Sequence, residues 1–159
     1  MTAPRIRRAG LDDLAALLDL ETLSFPPERR ESRASWRRSL VSPHQSVWIA
    51  RAGEVAAAAM TLRLHPSAVR IFSLAVHPGH RGAGLGSALM RRAFAEAHGR
   101  KALRLTLEVD ADDRRLVDWY AACGFAPAGR LPDYYGPDRD AVRMMCCLPA
   151  PAMMKNAPP

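Results

Sequence analysis

The sequence predicts an α/β protein in which one mixed β-sheet carries helices on its faces. Two observations predict this fold class. Segments with alternating apolar residues occur together with segments whose apolar residues recur at helical spacing. Along the chain these segments follow the order β-α-α-β-β-β-α-β-α-β-β. The chain has 159 residues, 48% of them hydrophobic, which suits a single core. We therefore expect one domain at residues 1–148 and a Pro- and Ala-rich tail at residues 149–159.

The N-terminal elements are a short strand and a helix. Residues 5–9 can form the strand, and residues 11–25 carry leucines at helical spacing. Asp12 or Asp13 is placed to cap the start of the helix, and Pro26 ends it.

A second helix and three strands come next. Residues 28–42 place Trp36 and Leu40 on one helix face, and the pair Ala52-Gly53 marks a hairpin turn. The three strands are expected at residues 46–51, 54–64 and 69–78.

The second half of the chain begins with a helix and a strand of regular alternation. We expect the helix at residues 84–98 and the strand at residues 101–109. The apolar face of this strand consists of Leu103, Leu105, Leu107 and Val109. Its polar face consists of Arg104, Thr106 and Glu108.

The closing elements are one helix and two strands. The helix is expected at residues 112–123, with Gly124 as its C-terminal stop. The strands are expected at residues 125–131 and 141–148, on either side of the loop PDYYGPDRD.

The stretch VHPGHRGAGLGSALMRR, residues 76–92, joins a strand end to a helix start through three glycines. Glycine in a helix start costs about 0.5–1 kcal/mol, so its use there indicates positive φ or close approach to a ligand. Amide groups at a helix N-terminus, with Arg81 and the nearby Arg91 and Arg92, are typical of a phosphate site. The P-loop lysine is missing, and the spacing G-x-G-x-G does not match the dinucleotide fingerprint.

Composition narrows the function classes further. The net charge of +7 would suit nucleic-acid binding, but the basic residues are spread along the chain without a nucleic-acid motif. A local basic patch for a polyanionic cofactor or an acidic substrate is therefore favoured. No apolar run approaches the roughly 20 residues that span a bilayer, and no signal peptide is visible. Cys123, Cys146 and Cys147 lack the spacing of a disulfide framework or a zinc site, so we expect a reduced, cytoplasmic protein.

Two separated motifs resemble one known superfamily. VHPGHRGAGLGSAL resembles the acyl-CoA-binding signature of the GNAT N-acetyltransferases, in which Arg/Gln-x-x-Gly-x-Gly/Ala follows V-x-P and leads into a helix. Arg81, Gly84 and Gly86 take its first, fourth and sixth positions. LEVDADDRRLVDWYAACGF looks like the second block of the superfamily, with L-x-V first and Tyr-x-x-x-Gly-Phe last. The resemblance covers about residues 4–148 and implies the GNAT fold, with acetyl-CoA as co-substrate.

The resemblance is closest to the RimI-type branch, whose members acetylate protein α-amino groups. The spacing of Glu108 and Tyr120, the Tyr-Tyr pair and the last strand DAVRMM are the parts most like it. Asp113 departs from the branch, which usually has Asn there, and this puts its role in cofactor binding in doubt.

The resemblance assigns acetyl-CoA to the end of the third long strand and to the glycine-rich turn. The backbone of the strand would pair with pantetheine and supply the oxyanion donor at Val76, while the turn would hold the pyrophosphate. The residues so assigned are Leu74, Ala75, Val76, Arg81, Gly82, Ala83, Gly84, Leu85, Gly86, Ser87 and Asp113. No metal is expected, because the nearby histidines His65, His77 and His80 have no acidic or cysteine partner at ligand spacing.

Two side chains are the catalytic candidates. Glu108 is nominated as general base, since it stands near the end of a central strand on its polar, reachable face. The alternative is a surface glutamate paired with Arg104. Tyr120 is the general acid by resemblance, protonating the leaving thiolate; the alternative is a core tyrosine. Cys123 is expected in the core, because no histidine partner accompanies it.

The acceptor side is assigned by resemblance to Phe25, Tyr134 and Tyr135. Asp133, Asp138 and Asp140 could receive the ammonium of a peptide N-terminus; the alternative is a solvated loop. The arginines of PERRESRASWRR would suit an acidic acceptor or form a solvated basic face.

The leading function is thus acetyl transfer from acetyl-CoA to a protein or peptide α-amine in a ternary complex. The alternatives are a small-molecule amine as acceptor and a non-catalytic acyl-CoA-binding regulatory module, with nucleic-acid binding ranked last. A homodimer is a further alternative for the assembly of the protein.

Overall fold

Within residues 4–148, eleven α-helices and strands follow the order that the sequence predicts. The computed structural model describes residues 4–148, so the expected tail at 149–159 lies outside the described residues. The strands are β1 (Ile6–Arg8), β2 (Gln45–Ala52), β3 (Val55–Leu64), β4 (Ala68–Val76), β5 (Arg104–Asp110), β6 (Ala126–Leu131) and β7 (Ala141–Cys147). The α-helices are α1 (Leu14–Ser24), α2 (Arg33–Val41), α3 (Leu85–Gly99) and α4 (Arg114–Ala122).

The seven strands form one mixed sheet with the order β1-β2-β3-β4-β5-β7-β6. β4 and β5 are parallel, whereas β1 with β2, β2 with β3, β5 with β7 and β6 with β7 are antiparallel. The last pair of the parallel ladder is Ile71 with Leu107, although β4 continues to Val76. The α/β fold class predicted from the sequence is confirmed.

Residue contacts divide the described chain into two compact units, and β4 contributes to both. The first unit contains residues 4–64 and 72–89, and the second contains residues 65–71 and 90–148. In the first unit α1 packs against β3 and α2 against β2, and in the second α4 packs against β5. No helix within residues 4–148 combines the length and the apolar character needed to cross a membrane.

The core of the first unit is formed by α1, α2 and the hairpin β2–β3. Trp36 of α2 is 5% exposed and lies in this core, with Leu40 packed partly against it, as the helical spacing predicts. Truncation of such a buried tryptophan typically costs about 3–5 kcal/mol. The other buried members are Leu14, Ala16, Leu17, Leu20, Val47, Ile49, Ala56 and Ala59.

Asp13 occupies the cap position of α1, yet its carboxylate makes no hydrogen bond to the helix. It accepts two hydrogen bonds of 2.9 Å from Arg7, one of 3.1 Å from Arg51 and one of 2.9 Å from the Gly10 amide. The predicted capping bond is therefore replaced by an ionic cluster. Hydrogen bonding to Arg7 is the main cause that lowers the pKa of Asp13 to about 2.

The core of the second unit follows the alternation of β5. Leu105, Leu107 and Val109 are buried, as predicted. Leu103 is 62% exposed, so its expected place on this buried face is wrong. The reason is that β5 begins at Arg104, one residue after Leu103. α4 ends at Ala122, and Gly124 follows with φ of 107°, which is the left-handed conformation expected of a glycine stop.

Candidate active site

The glycine-rich turn lies in the first unit, directly before α3. Gly82 and Gly84 have φ values of 80° and 78°, a conformation that other residues adopt only with strain. α3 begins at Leu85, and the Ala88 amide donates to the Gly84 carbonyl at 3.0 Å. The amides of the first helical turn at residues 85–87 precede the regular helix bonds and so remain available to an anion.

Ser87 supports the assignment of this turn to a phosphate group. Its side chain is 1% exposed, and within residues 4–148 its hydroxyl has no hydrogen-bond partner. A buried hydroxyl without a hydrogen-bond partner destabilises the fold, unless a bound ligand supplies that partner. Arg81 is exposed at the entrance of the turn, in extended conformation. The residues present therefore fit a pyrophosphate.

A 3-10 turn at Pro78–His80 connects β4 to the glycines. The Gly79 amide donates to Nδ1 of His77 at 2.9 Å, so this histidine orders the turn. No group of three histidine, cysteine or acidic side chains able to hold a metal ion occurs within residues 4–148.

The strand residues assigned to pantetheine lie where the β4–β5 ladder has ended. Leu74, Ala75 and Val76 are half-buried and follow the last ladder pair, Ile71 with Leu107. Ala75 packs against the core of the first unit. Backbone groups beyond the end of a ladder can pair with an amide-containing ligand instead.

Glu108 lies in the second unit, and its surroundings differ from the sequence expectation. Its side chain is 4% exposed rather than openly reachable. It does not pair with Arg104. Its Oε1 contacts Nη2 of Arg70 at 2.5 Å and Nη2 of Arg143 at 3.9 Å. Strand register explains this, because Arg143 is opposite Glu108 on β7 and Arg70 is opposite Thr106 on β4. Its Oε2 has no hydrogen-bond partner among residues 4–148.

Arg70 also contacts the loop between β6 and β7. Its Nη2 donates a hydrogen bond of 2.9 Å to the hydroxyl of Tyr134. Tyr134 is 44% exposed, and its ring meets that of Tyr135 edge-on at 4.9 Å. The sequence reasoning missed Arg70, although a charged residue between the apolar Val69 and Ile71 of β4 was a usable signal.

Two carboxylates of this loop, those of Asp133 and Asp140, accept hydrogen bonds from neighbouring residues. Asp140 accepts from the Asp133 amide at 2.9 Å and from Nε of Arg130 at 2.8 Å. Asp133 accepts from the Asp138 amide at 2.8 Å. Short acidic side chains favour such local backbone bonds, especially where residues adopt positive φ, as Asp133 does at 55°.

Tyr120 is buried on α4, with 6% of its surface exposed. Its ring packs against Phe125 at 6.0 Å and Trp119 at 5.1 Å. Burial is the main cause that raises the pKa of the Tyr120 hydroxyl above its usual value. Burial likewise raises the pKa of Cys123 to about 11, which agrees with a core thiol rather than a nucleophile.

Asp113 caps α4. Its Oδ1 accepts a hydrogen bond of 3.1 Å from the Leu116 amide. The carboxylate thus fixes the start of the helix that carries Tyr120.

Phe25 lies in the first unit, directly after α1, beside a small pocket. The pocket contains a buried carboxylate, Glu21, which the sequence reasoning missed. Its Oε1 accepts from the Glu31 amide at 3.0 Å, and burial is the main cause that raises its pKa. The pocket is lined by Leu17, Leu20, Glu21, Phe25, Trp36, Ala59, Ser73 and Ala75.

Comparisons with known proteins agree with this architecture. Residues 14–125 match the model of the acetyltransferase (GNAT) family. Mycothiol acetyltransferase of Kineococcus radiotolerans is 33% identical over 125 residues, which are 75% of this chain and 41% of that protein. The chain therefore spans less than half the length of this relative.

Solved structures share the fold. The ribosomal-protein-S18-alanine N-acetyltransferase of Escherichia coli superposes with a TM-score of 0.82 at 22% identity, over 92% of this chain and 94% of that one. Ard1 of Thermoplasma volcanium gives a TM-score of 0.80 at 22% identity, over 94% and 100% of the two chains. Together with the family match over most of its length, this shows that the chain belongs to the acetyltransferase (GNAT) family.

Proposed function

We propose that this chain is an N-acetyltransferase that moves an acetyl group from acetyl-CoA to the α-amine of a protein or peptide. The observation that carries the proposal is the turn at residues 82–87, with two left-handed glycines and the buried, unpartnered hydroxyl of Ser87 before the helix. Family membership names acetyl-CoA as the group that such a turn receives.

The cofactor-binding part of the proposal assigns a role to each segment of the first unit. Arg81 and the amides of residues 82–87 hold the pyrophosphate. The backbone of residues 74–76 pairs with the pantetheine amides, and the Val76 amide is the donor for the oxyanion. Bound acetyl-CoA supplies the acetyl thioester. We further propose that residues 1–148 act as one catalytic domain, and that Asp113 acts through the start of α4.

Glu108 is the proposed general base. An α-amine has a pKa near 8, so near neutral pH it needs modest help to lose its proton. Oε1 of Glu108 is held by Arg70, which leaves Oε2 to take that proton directly or through a water. The amine nitrogen then forms its bond to the acetyl carbon while the carbon–sulfur bond breaks.

Tyr120 is the proposed general acid. The raised pKa of its hydroxyl keeps it protonated over the whole working range of pH. We assign this proton to the leaving thiolate. The nitrogen of an ammonium group loses two protons in forming the amide. Glu108 receives the first and passes it to solvent, then receives the second as the nitrogen bonds to the acetyl carbon. Tyr120 gives its proton to the thiolate and recovers one from Glu108 through solvent, so one proton is released overall.

The acceptor is assigned from the loop that holds Tyr134 and Tyr135, together with Phe25. Two proteins with the same fold have names that state a protein acceptor, the ribosomal-protein-S18-alanine N-acetyltransferase of Escherichia coli and the ribosomal-protein-alanine N-acetyltransferase of Brucella melitensis. A small-molecule acceptor is the second candidate, and the relative named mycothiol acetyltransferase favours it. A non-catalytic acyl-CoA-binding module is the third.

The test measures CoA release from acetyl-CoA with two acceptor pools, peptides with free N-termini and small amines. Glu108→Gln and Tyr120→Phe accompany the wild type, and calorimetry records acetyl-CoA binding to all three. We expect release with peptides alone, a large loss in both variants and unchanged binding. Release with small amines alone would overturn the acceptor assignment. Binding without turnover in either pool would favour the non-catalytic module.

A further inference from the structure

We propose that Arg70 is a positioning residue, which holds one oxygen of Glu108 so that the other receives the proton, and which couples this base to Tyr134. The inference rests on the proposed function and extends it to a residue outside both family motifs. Arg70 precedes the glycine-rich turn and lies on β4, one strand away from Glu108.

A single nitrogen of Arg70 makes both contacts. Nη2 lies 2.5 Å from Oε1 of Glu108 and 2.9 Å from the hydroxyl of Tyr134. A guanidinium Nη carries two hydrogens, so it can donate to Tyr134 while it forms the ion pair with Glu108. Tyr134 is thus an acceptor toward Arg70.

Burial makes Arg70 the main partner of Glu108. The glutamate side chain is 4% exposed, and a carboxylate with so little water needs an adjacent cation. Arg70 is 25% exposed and in hydrogen-bond range, whereas Arg143 is 48% exposed and 3.9 Å away. A charge pair is stronger when it is close and shielded from solvent, so Arg70 dominates.

The strands fix this arrangement. Arg70 and Thr106 are register partners in the β4–β5 ladder, and the flanking Val69 and Ile71 are buried. Side chains on paired strands are held more precisely than side chains on loops. The held oxygen is Oε1, and Oε2, which has no partner among residues 4–148, is the reacting oxygen.

The hydrogen bond from Arg70 to Tyr134 couples the acceptor loop to Glu108. The acceptor loop and the base meet at one nitrogen, so a change at Tyr134 alters the hydrogen bonding of the group that orients Glu108. Substitutions at Arg70 and Tyr134 should therefore not have independent effects on turnover.

The kinetic test compares Arg70→Gln and Arg70→Lys with one control. Arg104→Gln removes a cation from β5, the strand that carries Glu108, without touching that glutamate. We expect Arg70→Gln to lower kcat by roughly 10–100-fold with an unchanged KM for acetyl-CoA, and Arg70→Lys to restore part of it. The control should stay within about threefold of the wild type.

Two double-mutant cycles complete the test. Tyr134→Phe should lower kcat in the wild type and have little further effect in Arg70→Gln. An unfolding cycle of Arg70→Gln with Glu108→Gln should show coupling, and it needs no turnover. A kcat of Arg70→Gln within twofold of the wild type, or additive unfolding effects, would overturn the inference. If the wild type releases no CoA with any amine, the proposed function is refuted. The unfolding cycle would then still show whether Arg70 and Glu108 are coupled.

Discussion

Asp13 offers the sharpest quantitative prediction. Its side chain is 3% exposed, and the pairs with Arg7 and Arg51 hold its carboxylate in the charged form. Its pKa falls from 3.8 to about 2 on folding, with hydrogen bonding to Arg7 as the main cause. Each pKa unit corresponds to about 1.4 kcal/mol, so the charged carboxylate stabilises the folded state by about 2 kcal/mol at neutral pH.

The perturbation is Asp13→Asn, which keeps the shape and removes the charge. Because the folded-state pKa lies below the unfolded value, the stabilisation is present above about pH 4 and is lost as the pH falls toward 2. The variant should be less stable than the wild type by about 2 kcal/mol at pH 7 and by about 1 kcal/mol at pH 3, and the difference should be well under 1 kcal/mol at pH 2.

The assay is urea unfolding of both chains at these pH values, with midpoints and slopes fitted separately. Asp12→Asn is the matched control, since the neighbouring Asp12 is exposed, and it should be neutral within about 0.5 kcal/mol. A difference between wild type and Asp13→Asn that does not shrink from pH 7 to pH 3 would refute the electrostatic reasoning.

Three further outcomes are expected. Tyr120→Phe should lower kcat by roughly 10²–10⁴-fold in steady-state CoA release, while calorimetry shows unchanged acetyl-CoA binding. If acetyl-CoA binding falls as much as kcat, Tyr120 is not the general acid. Gly84→Ala, where φ is 78°, should lose about 1 kcal/mol of stability and weaken acetyl-CoA binding, whereas Gly99→Ala should do neither; equal binding by all three chains would contradict the role of the turn. The exposed Cys147 should react with a thiol reagent at pH 8, and Cys123, with a pKa near 11, only after unfolding, as peptide mass mapping would show; rapid labelling of Cys123 in the folded chain would count against its burial.

Much of the fold could be predicted because the information is local. Pro26 and Gly124 end helices through their own backbone preferences. The alternation of apolar and polar residues along β5 predicts which face of the strand is buried. The glycine-rich turn could be predicted for the same reason, since glycine is the residue that adopts positive φ most readily.

The partners of the site residues could not be predicted, because they depend on strand register. Arg70 and Arg143 are far from Glu108 in sequence and meet it only after β4 and β7 have paired with β5. Arg104, which is close in sequence, does not pair with it. Asp133 and Asp140 accept hydrogen bonds from backbone amides, and these bonds depend on the conformation of the loop.

The bonds that hold the loop between β6 and β7 differ from the rings that we propose for acceptor binding. Asp133, Asp140 and Arg130 hold the loop, together with Arg139, which pairs with Asp110 at 2.6 Å. Tyr134 and Tyr135 pack edge-on against each other, and Tyr134 accepts a hydrogen bond from Arg70. Under the proposed function, substitutions of these rings change the acceptor preference without removing the acidic side chains that hold the loop. A new acceptor preference can then arise in a few substitutions that leave the folded state intact.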